Sequence, residues 1–103
     1  MSPVLAVYAT GLNEYGQLGD GTTINKATPV LVMSAYTVTE VVSGGLHTFF
    51  KTDTGAVYAT GYNYYGQLGD GSTVDKSTPV VVMSSYTVTE VVAGGYHTFF
   101  KTV

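Results

Sequence analysis

Residues that are β-branched, aromatic or small gather in short runs along this chain, and each run is closed by glycine or by a polar turn. The first run, VLAVYAT from Val4 to Thr10, stops at Gly11 and reads as a strand. Up to Gly21 the glycines at 16, 19 and 21 recur too often for a helix or a strand ladder, while Asn13, Gln17 and Asp20 are placed to bond nearby backbone. That stretch predicts a long ordered loop with Leu18 as its apolar anchor. After a polar segment, Pro29 opens PVLVM, a second strand expected at a sheet edge, where a missing N–H costs little. TVTEVVSGG supplies a third strand, with Val38, Glu40 and Val42 on one face and Thr39 and Val41 on the other. HTFFKT, from His47 to Thr52, is the fourth, and Asp53-Thr54-Gly55 is a tight turn that returns the chain to Ala56.

The whole series then repeats. Tyr8 falls on Tyr58, Pro29 on Pro79, Glu40 on Glu90 and His47 on His97, an offset of 50 residues with about three quarters of positions identical. Strands are therefore expected again at Ala56 to Thr60, at Pro79 to Met83 and in the two segments that follow, with Leu68 as the second loop anchor. No stretch shows apolar spacing at three, four and seven over two turns, so the expected fold is all-β with no helix. Four short strands per repeat are the signature of β-propeller blades.

Composition adds an expectation of association. Only 11% of the residues are charged, less than half the usual share, so much of the surface must be neutral. Ordering the chain costs about 1–2 kcal/mol per residue, which two thin sheets with open faces offset poorly, and self-association would supply the missing burial. The cationic side chains are Lys26, Lys51, Lys76 and Lys101, with no arginine and a formal net charge of −3. That spread argues against a nucleic-acid partner, which needs a clustered basic footprint. The absence of cysteine removes disulfides and thiolate chemistry. With no run of about 18 apolar residues and no signal-peptide pattern at the start, the chain reads as soluble, with no membrane partner and no assigned compartment.

The elements G-x-N-x-x-G-Q-L-G-x-G, a proline-opened strand and E-V-V-x-G-G-x-H-T occur in both halves. Together they resemble the repeat of the regulator of chromosome condensation family over essentially the whole chain, with residues 1–53 as one repeat and 54–103 as the next. The resemblance implies one four-stranded antiparallel blade per repeat of a commonly seven-bladed propeller. It places the strand before Gly-Gly-x-His innermost, so that Thr39 to Ser43 and Thr89 to Ala93 would line the channel. The family often carries Trp just before the loop glycine, where this chain has Thr10 and Thr60. In that frame the chain holds one whole blade, about residues 37–83, between an outer pair of strands, Val4 to Met33, and an inner pair, Thr87 to Lys101. Each half-blade supplies what the other lacks. Identical chains are thus expected to join head to tail into a homo-oligomeric ring that shares blades between chains, three chains giving six blades and four giving eight. The near-identity of the repeats points to recent duplication or to design.

Several residue types invite chemistry. His47 and His97 suit metal ligation or general base work, but each follows a glycine pair where a structural histidine fits equally well. Ser43 lies four residues before His47, yet Ala93 replaces it in the other copy and no third member of a triad exists. Asp20, Asp70 and Asp75 lack the full calcium-loop spacing, and GQLGDGTT puts Thr22 where a phosphate loop has lysine. Glu40 and Glu90, on the axial strand, are the metal candidates, since a circle of carboxylates around a channel would welcome a cation. Tyr62, Tyr64, Tyr65 and Tyr96 form the candidate protein-binding group, with packing between blades as the alternative. No catalytic residue and no cofactor are expected. The leading reading is a self-assembling scaffold. A protein-binding module is the alternative, as in bacterial family members that inhibit β-lactamases, and guanine-nucleotide exchange on a small GTPase, as in the eukaryotic namesake, finds no supporting insertion or basic patch.

Overall fold

A computed structural model describes residues 6–103; Val4 and Leu5, the first positions of the expected opening strand, lie outside the described residues. Eight strands follow: β1 (Val7–Gly11), β2 (Lys26–Val32), β3 (Val38–Ser43), β4 (His47–Thr52), β5 (Val57–Gly61), β6 (Lys76–Val82), β7 (Val88–Ala93) and β8 (Thr98–Thr102). The described residues form no helix, and none of them makes a helix long and apolar enough to cross a membrane.

The strands pair antiparallel in three sheets ordered β1-β2, β3-β4-β5-β6 and β7-β8. A four-stranded central sheet thus lies between two half-sheets. Successive residues of a strand point to opposite faces, and β4 uses this to bind both neighbours. Phe50 packs with Val32 and Val38 on the side of β1-β2, while Phe49 packs with Val57, Leu68 and Val91 on the side of β7-β8. The loop anchors Leu18 and Leu68 are both buried.

Two details differ from the sequence reading. The second strand starts at Lys26, so Pro29 sits within it and not at its first position. β2 and β6 are nevertheless edge strands, and the missing N–H falls where no strand among the described residues needs it. The faces of the third strand also differ from the simple alternation. A register shift between Val38 and Glu40, repeated between Val88 and Glu90, inserts a bulge that resets the phase. Val38 therefore faces the first half-sheet and Val42 the second, instead of sharing one side.

Candidate interaction surfaces

Each long loop is organised by one buried asparagine. Asn13 Oδ1 accepts from Leu18 N at 3.0 Å, and Asn13 Nδ2 donates to Asp20 Oδ1 and to the carbonyls of Thr22 and Ile24 at 3.0–3.1 Å. Asn13 N donates to Asn25 Oδ1 at 2.7 Å, and in the second copy Asn63 N donates to Asp75 Oδ1 at 2.8 Å. The loop needs only an acceptor oxygen there, which explains why Asn25 and Asp75 interchange. Lys26 Nζ reaches Asp20 Oδ2 at 2.8 Å, Thr22 Oγ1 at 2.9 Å and the Ile24 carbonyl at 3.1 Å. An ammonium thus sits where a calcium-loop reading would put a cation, and Lys76 does the same beside Asp70. Burial alone would push the Asp20 and Asp70 carboxyls up, but the lysine and the donors from residues 22 and 13, or 72 and 63, outweigh it and hold both well below the usual carboxylate range.

The ordered loop then docks on the next sheet. Thr48 Oγ1 donates to the Gln17 carbonyl at 2.7 Å, Thr60 Oγ1 lies 2.7 Å from both the Gly16 and the Lys76 carbonyl oxygens with its one hydrogen to share between them, and Gly21 N donates to the Ser77 carbonyl at 2.9 Å. The buried Thr60 thereby holds the first loop against the edge strand β6. A Cβ on Gly16 would collide with Ser77 Cα, so glycine is required by the approach as well as by its φ of 80°. The second loop makes only the first of these contacts among the described residues, Thr98 Oγ1 to the Gln67 carbonyl at 2.7 Å. Thr10, the copy of Thr60, bonds only the Lys26 carbonyl.

The histidines take different environments. His47 is buried between sheets with Nε2 3.0 Å from Thr98 Oγ1, and its Nδ1 has no partner among the described residues. Burial lowers its pKa from the ordinary value, against an opposing hydrogen-bond contribution from the His97 backbone. Its ring lies so close to Gly44 that a Cβ there would collide with it, which accounts for the glycine in Gly-Gly-x-His. His97 is exposed. The described residues bring no three His, Asp or Glu side chains together as a metal-holding group. Glu40 and Glu90 are about half exposed and each faces a lysine across its own sheet, Lys51 at 3.8 Å and Lys101 at 3.1 Å. A channel lined by these strands would present neutralised pairs instead of bare carboxylates. Ser43 is exposed on β3, with no hydrogen bond to His47.

The tyrosines do gather. Tyr62 has Tyr15, Tyr64, Tyr65 and Tyr96 around it at centroid distances of 4.6, 6.4, 6.2 and 6.3 Å, and Tyr65 packs on Tyr96 at 5.6 Å. Tyr64, Tyr65 and Tyr96 are exposed, whereas Tyr62 and Tyr15 are half-buried. Burial first, and then the neighbouring phenols and Asp75, raise the Tyr62 pKa, so its hydroxyl stays a neutral donor at neutral pH. Tyr15 was missed as a member because its copy is Tyr65 and nothing in the sequence shows that the two loops touch. The docking threonines and the caged lysines were missed too; their signal is recurrence at identical offsets in both halves.

The regulator of chromosome condensation (RCC1) repeat matches residues 6–50 and again 54–100, and a second form of the same repeat matches residues 38–67. The chain belongs to the RCC1 repeat family. No curated protein matches it at the level of sequence. Among solved structures it is similar to human WBSCR16, with a TM-score of 0.83 and 24% identity over 95% of this chain and 27% of that one. It is also similar to Prp20p of Saccharomyces cerevisiae, studied for its binding to Gsp1p and histones, with a TM-score of 0.81 and 17% identity over 100% of this chain and 28% of that one. Yeast RCC1 (Prp20) bound to Kap60 matches with a TM-score of 0.69 and 19% identity over 84% and 24% of the two chains. These likenesses establish the fold. The chain spans about a quarter of the length of the structures it matches.

Proposed function

We propose that this chain is a self-assembling propeller unit whose copies join head to tail into a closed ring, three chains making six blades or four making eight, and that its role is that of a scaffold without catalysis. The supporting observation is the division of the strands: one complete four-stranded sheet between an outer pair, β1-β2, and an inner pair, β7-β8. Among the described residues β8 ends the third sheet as an open edge and β1 begins the first as another, so each chain offers the strand that a second copy would pair with. One rotation applied repeatedly to such a heterologous contact closes a ring where it divides a full turn without translation, as the repeating blades of a propeller do. Repeats 1–53 and 54–103 then contribute two blades per chain. Light scattering on a sizing column over a hundredfold concentration range tests this. A single mass of three or four chains is expected, and a monomer throughout overturns it.

A second reading, compatible with the first, assigns partner binding to the loop face that carries Tyr62, Tyr64, Tyr65 and Tyr96. It is favoured by the exposure of three of these rings in one contiguous patch. Structural relatives named for protein partners, Gsp1p, histones and Kap60, give it the same direction. Nucleic acid, membrane, metal and cofactor have no part in either reading.

A further inference from the structure

Phe49 and Phe99 occupy the same position of the repeat, yet Phe49 is 0% exposed and Phe99 is 63% exposed. Phe49 lies in a core with Val57, Ala59, Leu68, Val91, Ala93 and Phe100, and the Phe100 ring meets it edge-on at 5.5 Å. The residues fifty positions earlier are Val7, Ala9, Leu18, Val41, Ser43 and Phe50. Those six line an open cavity of about 320 Å³ between the first half-sheet and the central sheet. The lining is the same apart from serine for alanine; what it lacks is a phenylalanine. Val41 on its wall is 46% exposed where Val91 is 4%.

The other end of the molecule has the reciprocal gap. A cavity of about 330 Å³ lies beside Gly66, Gln67, Gly69, Thr98 and Phe100. In the first repeat the corresponding space beside Gly16 and Gly19 is filled by Thr60, Ser77 and Pro79, which approach to within van der Waals contact of any added Cβ. Their counterparts, Thr10, Ala27 and Pro29, sit on the open half-sheet β1-β2.

The geometry points to a single reciprocal junction with a second copy of this chain. Phe99 of one copy seats in the 320 Å³ cavity of the next, while Thr10, Ala27 and Pro29 of that next copy seat in the 330 Å³ cavity of the first. The register follows from β4 on β5, where Thr48 pairs with Thr60, Phe49 with Ala59 and Lys51 with Val57. Between copies, β8 pairs with β1 so that Thr98 meets Thr10, Phe99 meets Ala9 and Lys101 meets Val7. Thr10 Oγ1 then gains the Gly66 carbonyl as its second acceptor, as Thr60 has the Gly16 carbonyl. The junction rests on the ring reading and adds to it the partner surface, the register and the residue that locks it.

The chain has no cysteine, so the register can be tested by cross-linking. Cross-strand Cα atoms about 4.5–5.5 Å apart lie within disulfide reach. Under mild oxidation Val7→Cys with Lys101→Cys, a facing pair that leaves Phe99 in place, is expected to give a covalent oligomer at the ring mass on a denaturing, non-reducing gel. Tyr8→Cys with Lys101→Cys is expected to stay monomeric on that gel, because adjacent residues face opposite sides. Phe99→Ala alone, at a position exposed in the single chain, is expected to weaken association at least about a hundredfold with unchanged circular dichroism. A parent ring that gives no Val7–Lys101 cross-link, or gives equal cross-linking in both pairs, overturns the junction and leaves the ring standing. A monomeric parent chain overturns both.

Discussion

Asn63 shows how much of a blade can depend on one side chain. It is fully buried and bonds Leu68 N, Asp70 Oδ1, and the carbonyls of Ser72 and Val74. No alanine could replace both its acceptor and its donors. Asn63→Ala is expected to cost about 2–4 kcal/mol of stability, since several buried polar groups lose their partner together. A lower urea midpoint with unchanged slope would show it. The adjacent carboxylates set the acid limit. Asp20 and Asp70 have pKa values lowered in the fold, so their contribution is complete above the unfolded value of about 3.9 and is lost as pH falls below it. These groups give no slope between about pH 5 and 8. Asp70→Asn is expected to lower stability at pH 7 by leaving Lys76 without its counter-charge, and to show a smaller further loss at pH 3 than the parent does. An equal acid loss in both proteins would remove Asp70 from the explanation.

At the scale of the strand, His47 joins two sheets and brings a second, distinct pH dependence. Its pKa is lowered by burial, so the folded state binds fewer protons than the unfolded state at mildly acid pH. Its contribution is complete above the unfolded value of about 6.5 and is lost as pH falls from there towards the lowered value. The melting temperature is therefore expected to drop between about pH 7.5 and 5.5 in the parent and to change less in His47→Gln. A parallel drop in both would place the titration elsewhere. How much of this was legible in sequence depends on the element. The strand count, the loop anchors and the turn at Asp53 to Gly55 could be read because alternation and glycine punctuation act locally. The bulge between Val38 and Glu40 could not, because it changes phase without any glycine or proline to mark it. Phe49 and Phe99 have identical neighbours in sequence from His to Thr, so their opposite exposure reflects only whether another sheet lies beyond them. The tyrosine group was readable as a local excess of aromatic residues, but the entry of Tyr15 depends on one loop lying against the next.

For the whole molecule, the proposed ring can be tested at the seam between β3 and β7. β3 and β7 come together where the central and third sheets meet, and Gly45 N donates to the Gly94 carbonyl across that seam at 3.2 Å. A Cβ on Gly45 would lie 2.9 Å from the Gly95 carbonyl oxygen, whereas a Cβ on Gly95 meets nothing within 4 Å. In one chain, then, the two glycines differ only in having a neighbour. In a closed ring Gly95 would face Gly45 of the next copy and carry the same restriction. Gly45→Val is expected to lower the melting temperature of the chain itself, by forcing apart two sheets already in contact. Gly95→Val should leave the fold of the single chain unchanged and yet reduce the native mass to that of one chain, as judged by a thermal melt beside light scattering. If Gly95→Val still gives a ring, the third sheet of one copy does not meet the central sheet of the next as it meets its own, and the repeat symmetry stops at the end of the chain.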